Sequence, residues 1–158
     1  MAYLYAGDRR ALPPCTAQAV IEILEHTGVE LSGINAAVVG RSPVVGKPLS
    51  LLLLARNATV TMCHSRTRDL ADICRRADLL VSATGKAHLI GRGHVTDRTV
   101  LVDVGVSTDE TGTLCGDVDV ADVQDIVSRM TKSSLSLGAV TTSVLLRHTV
   151  LSAARRVG

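Results

Sequence analysis

Arg41, Ser65, Arg66 and Arg68 lie in two short segments, each preceded by a run rich in small or β-branched residues. Guanidinium groups and hydroxyls gathered in this way suit an anion, because charge-assisted hydrogen bonds are short and Arg can make them in pairs. The first segment, Gly40-Arg41-Ser42-Pro43-Val44-Val45-Gly46-Lys47-Pro48, comes directly after Asn35–Val39. Glycine at a strand end permits a tight turn, and Gly46 would let backbone approach a ligand closely. The helix beyond it is expected to offer free N–H groups and a positive dipole end to phosphate. The spacing is not GxGxxG, since Ser42 stands where the second glycine would be. The second segment is Cys63-His64-Ser65-Arg66-Thr67-Arg68. In the usual dinucleotide fold the second strand ends in Asp or Glu, which holds the ribose 2′-OH. Here a hydroxyl and two arginines take that place and no acid does, a pattern that favours NADP over NAD. An ordinary solvated charge cluster is the competing reading, and Arg41 converging on the same end of the sheet tells against it.

Two more segments close strands. In Ser82-Ala83-Thr84-Gly85 and Val102-Asp103-Val104-Gly105-Val106, small residues would let a nicotinamide ribose lie on backbone, and Thr84 could hydrogen-bond it. Tight turns without any contact explain each segment equally well. The histidines, His26, His64, His88, His94 and His148, show no i, i+4 pair with an acid between them, so no metal site is expected. His64 reads as a packing or adenine-side residue, with general acid–base work second. Asp103, Asp117 and Asp119 could be bases, but strand-end turns and a helix N-cap account for them. No catalytic residue is assigned.

These segments need a frame that brings them together. Ala17, Val20, Ile21 and Leu24 fall at i, i+3, i+4 and i+7, predicting a helix with Thr16 as N-cap and Gly28 as its stop. Strands are expected at Asn35–Val39, Thr59–Cys63, Leu79–Ser82 and Thr99–Val104. Between them, Pro48–Leu54 reads as a helix ended by Asn57, and Leu70, Ile73, Cys74 and Ala77 as the inner stripe of another. Gly85–Arg98 reads as a loop with one helical turn, and Gly105–Gly116 as a hairpin. A fourth helix carries Val120, Val123 and Val127 behind Asp119. A short strand near Ser134–Leu137 and a last helix over about Thr141–Val157 complete the chain. Alternation of this kind predicts an α/β fold, a Rossmann-like doubly wound parallel sheet in a single domain. Residues 1–14 read as an N-terminal arm or linker and 15–158 as the domain.

Composition agrees. The 158 residues are 46% hydrophobic and 20% charged, with no Phe or Trp and with Tyr3 and Tyr5 as the aromatics. A core of branched aliphatics suits a parallel sheet covered on both faces, whereas base-stacking nucleic-acid binders need aromatic platforms. Seventeen Lys and Arg against fifteen Asp and Glu give a formal charge of +2, too small to imply a polyanionic partner. Cys15, Cys63, Cys74 and Cys115 form no CxxC pair and read as free thiols. With no apolar signal core and no membrane-length run, a soluble cytoplasmic protein is expected.

Taken in order, the segments resemble the methylenetetrahydrofolate dehydrogenase/cyclohydrolase family. Pro14-Cys15-Thr16 is similar to its PCTP, Val38–Pro48 to its VVGRSxxVGKP loop, and Cys63–Thr67 to its CHSRT. Ala83–Lys86, Val102–Val106 and Gly116–Asp119 come in the family's order, and Leu145–Val150 resembles its LLxNTV. The resemblance covers nearly the whole chain from Pro14. It implies NADP contacts at Gly40, Arg41, Ser42, Ser65 and Val106, with Arg66 and Thr67 adjacent. In the family a preceding domain brings the folate pocket and a YxxxK lysine. No YxxxK occurs here, so the expectation is the cofactor domain without its folate-binding half. The family's PVPGGVGPMT loop aligns with Lys132–Thr141, where Gly138 and Thr141 alone match and the Lys132–Ala139 stretch reads as strand-like alternation. The resemblance thus implies an NADP-dependent oxidoreductase acting on a folate-like, imine or carbonyl compound, its cyclohydrolase activity lost. The alternative is a catalytically silent NADP-binding module or a subunit of a split enzyme. A homodimer or a separately encoded partner is expected to cover apolar surface.

Overall fold

The computed structural model describes Leu4 and residues 12–109, 111–131 and 134–157. Most of the expected arm over 1–14 therefore lies outside the described residues, as do Lys132 and Ser133. The first helix, α1, runs Cys15–His26 and buries Ala17, Ala19, Val20, Ile21 and Leu24. Thr16 is not its N-cap. Pro14 stands at that boundary in an extended conformation, and its carbonyl accepts the N–H of Gln18 at 3.0 Å, so Thr16 is already inside the first turn. Gly28, at φ +71°, ends the helix as expected. The amides of Gly28 and Val29 turn back onto the carbonyls of Glu25 and Leu24, the pairing that a left-handed residue after a helix allows.

Strand β1 (Asn35–Val39), helix α2 (Gly46–Leu54), strand β2 (Thr59–Cys63), helix α3 (Leu70–Arg75) and strand β3 (Leu79–Ser82) come next. After a 3-10 turn at Arg92–His94 come β4 (Val100–Asp103) and the antiparallel hairpin of β5 (Ser107–Thr108) and β6 (Leu114–Cys115). The single-turn helix α4 (Val120–Val123), strand β7 (Arg129–Met130) and helix α5 (Ser134–Val157) complete the order. The main sheet is parallel throughout, in the order β2-β1-β3-β4-β7.

Alternate residues of each strand feed opposite faces. Ala36, Val38, Leu79, Val81 and Val102 pack in one cluster with α1 and α2, and Ala37, Val39, Leu80 and Leu101 pack in another with Cys74 and Val123. Near-continuous apolar strands are the signature of a sheet covered on both sides. The chain leaves β1 toward β2 on one side and returns to β3 on the other, so the topological switch point lies between β1 and β3.

One expected element is wrong. No strand occupies 134–137; that stretch is helix, and the fifth strand is Arg129–Met130, whose Arg129 pairs with Val100. Leu137 and Val144 are buried, and Val140 packs against the same core, a spacing of i, i+3 and i+7 that outweighs the polar–apolar alternation of 134–137. An ion pair between Arg147 and Glu22 ties α5 to α1.

A Cβ placed on Gly46 would lie 2.0 Å from the carbonyl oxygen of Gly40, whereas one on Gly93 would meet nothing within 4 Å. Gly46→Ala is therefore expected to destabilise by about 1–3 kcal/mol through overpacking against backbone. Gly93→Ala should change stability by less than about 1 kcal/mol. Urea denaturation compares the two, and equal midpoints would contradict the packing described.

Candidate functional site

The register aligns the carboxyl ends of four adjacent strands, β2, β1, β3 and β4. Cys63 pairs with Val39, Val39 with Ser82, and Ser82 with Asp103, so His64, Gly40, Ala83 and Val104 begin four neighbouring loops. In open α/β sheets ligands bind outside such ends at the switch point. A cleft of about 480 Å³ opens there. Gly40, Arg41 and Ser42 line it from the β1 end, His64, Ser65 and Thr67 from the β2 end, and Ala83, Thr84 and Lys86 from the β3 end.

The β1–α2 loop is shaped by close backbone contact. Gly40 has φ +125°, and a Cβ there would lie 2.3 Å from the carbonyl oxygen of Ala83. Gly46 is not on the cleft wall. It is small because the loop folds onto its own Gly40 carbonyl, a packing reason for glycine at this position. The start of α2 offers no free N–H either. Ser42 Oγ accepts the amides of Val45 at 3.0 Å and Gly46 at 3.4 Å, the Ser42 carbonyl accepts Lys47 N at 3.0 Å, and Pro48 has none. Leu49 N then makes the ordinary helical bond to Val45 at 2.9 Å. Any anion here is held by side chains and by the loop, not by the helix terminus.

The β2–α3 loop closes on itself. His64 N donates to Thr67 Oγ1 at 2.9 Å, Thr67 N donates to the His64 carbonyl at 2.8 Å, and Arg66 N donates to His64 Nδ1 at 3.1 Å. Ser65 and Thr67 thereby stand on the cleft, whereas Arg66 and Val106 are exposed and lie off its wall.

The β3 loop is held from behind by Asp117, which is fully buried. Its Oδ2 accepts Ser82 Oγ at 2.8 Å and Thr84 N at 2.6 Å, and its Oδ1 accepts Lys86 N at 2.9 Å. Lys86 N also reaches Thr84 Oγ1 at 3.2 Å. Asp103, beside it, accepts the amides of Gly105, Asp117 and Val118 at 3.0–3.1 Å. Burial pushes the Asp103 carboxyl up, against the pull of those three amides. A Cβ on Gly105 would sit 1.9 Å from Asp117 Oδ1, and one on Gly116 1.9 Å from Asp103 Oδ2. The two carboxylates are structural acceptors, in keeping with strand-end turns. Their grip on the cleft wall is not legible in the sequence, since it joins Asp117 to residues 31–35 positions away. The nearest hint is that each Asp stands one or two positions from a glycine.

The polar groups facing the cleft share one polarity. Ser42, Thr67 and Thr84 hydroxyls each accept from main-chain N–H groups, and so does His64 Nδ1. None of these hydroxyls spends its hydrogen on the contacts named, so each keeps a hydrogen to donate to a ligand. Such a cleft suits oxyanions and other acceptors.

Asn at position 117 has one acceptor oxygen and an NH₂ in place of the other, so Asp117→Asn sets a donor against Lys86 N or against Thr84 N and Ser82 Oγ. The expected loss is about 1–3 kcal/mol, read from urea unfolding of both proteins, and an unchanged midpoint would contradict the clamp.

The comparisons with known proteins agree with this geometry. Residues 14–157 match the family model for the tetrahydrofolate dehydrogenase/cyclohydrolase NAD(P)-binding domain. Bifunctional protein FolD of Clostridioides difficile is 49% identical over 144 residues, covering 91% of this chain and 50% of that protein. The chain spans about half the length of the curated relatives it matches. The crystal structure of FolD from Campylobacter jejuni superposes with a TM-score of 0.92 at 35% identity, over 98% of this chain and 55% of that one. FolD of Trypanosoma brucei, solved with NADP and an inhibitor, gives 0.89 at 36%, over 99% and 56%. The chain belongs to the tetrahydrofolate dehydrogenase/cyclohydrolase family, of which it carries the NAD(P)-binding domain.

Proposed function

We propose that the cleft between β1, β2 and β3 binds NADP, and that the chain is the cofactor-binding part of an NADP-dependent methylenetetrahydrofolate dehydrogenase-like oxidoreductase. One observation carries the reading. The cleft is lined by donors and by Arg41, with Ser65 rather than an acid at the end of β2. A carboxylate there would select the 2′-OH of NAD, and its replacement by hydroxyl and guanidinium favours a 2′-phosphate. Gly40, Arg41, Ser42, Ser65, Thr67 and Thr84 are the contacts proposed, and Arg66 and Val106 reach the ligand only from the rim. Gly46 acts on the ligand through the shape of the loop. The domain is taken as 15–158, with 1–14 as its arm, and the place of work as the cytoplasm.

NADP supplies the hydride acceptor when bound. The chain's part is to orient it and to give its phosphates hydrogen bonds in place of water. Asp103 and Asp117 have their oxygens occupied by amides and by Ser82, so neither is poised as a base. That observation favours a second reading, in which the isolated chain is a silent binding module and proton-requiring ring hydrolysis is lost.

Calorimetry is expected to show NADP binding at least about tenfold tighter than NAD, a difference near 1.4 kcal/mol. Arg41→Ala should remove most of the gap, and equal affinities or no binding would end the reading. With NADP and methylenetetrahydrofolate, formation of methenyltetrahydrofolate by the pure chain supports the oxidoreductase, and binding without turnover supports the silent module. Leu145, Leu146 and Val150 of α5 are 54–68% exposed, and we assign them to a homodimer or to a separately encoded partner. A monomer at micromolar concentration by light scattering would contradict the homodimer, and co-purification without a second chain would contradict the partner.

A further inference from the structure

We infer that His64 is a further specificity-determining residue of this cleft, a phosphate donor locked by its own loop into the tautomer that carries the proton on Nε2. The inference rests on the cofactor reading above and adds a residue to it. Arg66 N donates to His64 Nδ1 at 3.1 Å. A ring nitrogen that accepts a hydrogen bond carries no hydrogen, so in the neutral ring the proton is on Nε2. The loop also fixes the main chain that carries the ring, because His64 N donates to Thr67 Oγ1 and the His64 carbonyl accepts from Thr67 N. No described residue accepts from Nε2, and His64 lines the cleft together with Ser65 and Arg41.

Position supplies the ligand group. The end of the second strand is where this class of fold meets the ribose 2′ position. His64 directly follows Cys63 there, and the register places it next to Gly40. A 2′-phosphate at that point meets a fixed N–H from His64 and the guanidinium of Arg41. Packing of adenine on the ring would use its face and gain nothing from a fixed tautomer. A proton-shuttling role would require Nδ1 to take a proton and break the Arg66 bond, so the loop opposes it.

The test substitutes His64→Asn in the full chain. Asn Oδ1 can accept Arg66 N where Nδ1 did, while nothing replaces the Nε2 donor. We expect NADP affinity to fall about tenfold, with NAD affinity and the unfolding midpoint unchanged. Long-range ¹H–¹⁵N spectra of the wild-type imidazoles should show His64 as the Nε2–H tautomer, with Nε2 shifting on addition of NADP and not of NAD. Equal loss of NAD and NADP, or an Nδ1–H tautomer, overturns the inference. A wild-type chain that binds no NADP overturns the cofactor reading and this inference with it. NADP bound normally with an unchanged preference in His64→Asn overturns this inference alone.

Discussion

A carboxylate taken out of water is tolerable only where donors replace the solvent it has lost, and Asp117 and Asp103 meet that condition almost wholly with backbone. Six donors converge on the pair, five of them main-chain amides. They come from the ends of β3 and β4 and from the return leg of the hairpin, so satisfying the charges fixes how three separate segments leave the sheet. The glycines answer the same demand, since any side chain at 105 or 116 would occupy the space of a carboxylate oxygen. Among the described residues no buried side-chain polar atom is left without a partner. The cleft takes its shape from this arrangement: the wall at Thr84 and Lys86 is held by hydrogen bonds to a buried carboxyl group behind it.

The opposite wall is built on another principle. Ser42 closes the first turn of α2 with its side-chain and main-chain oxygens, and Gly46 lets that turn sit on the Gly40 carbonyl. A glycine-rich fingerprint leaves helix amides open for pyrophosphate; here they are closed and the serine hydroxyl is turned into a donor. The departure from GxGxxG and the donor character of the cleft are therefore one fact. Recognition has moved from backbone amides toward side chains that hold their acceptor atoms against the protein.

Much of this frame is legible in the residues alone. The strands Asn35–Val39, Thr59–Cys63 and Leu79–Ser82 stand where their runs and flanking glycine and asparagine put them, and the first and third are the plainest, because a strand buried on both faces has few competing patterns. The strand ends then locate the cleft-lining residues Gly40, Arg41, Ser42, Ser65, Thr67 and Thr84. The features that escape depend on tertiary context. Arg129–Met130 is too short an edge strand to show a pattern, and the Ser134–Leu137 alternation gives way to a helical stripe whose partners are on α1. Thr16 loses its capping role to the geometry of Pro14. The packing of Gly46 on the Gly40 carbonyl escapes too, because a glycine's neighbour is invisible until the loop is folded. Arg66 and Thr67 are adjacent in sequence, yet only Thr67 faces the cleft.

The central claim, that an acceptor-rich cofactor binds at the switch point while the α2 terminus stays closed, is tested most directly by backbone amide ¹H–¹⁵N spectra during an NADP titration. The account predicts saturable shifts confined to Gly40–Ser42, His64–Thr67 and Ala83–Lys86, with the Gly46 and Lys47 amides still hydrogen-bonded and protected from exchange. Shifts centred away from the β1, β2 and β3 strand ends, or Gly46 and Lys47 amides released to the ligand, would contradict it.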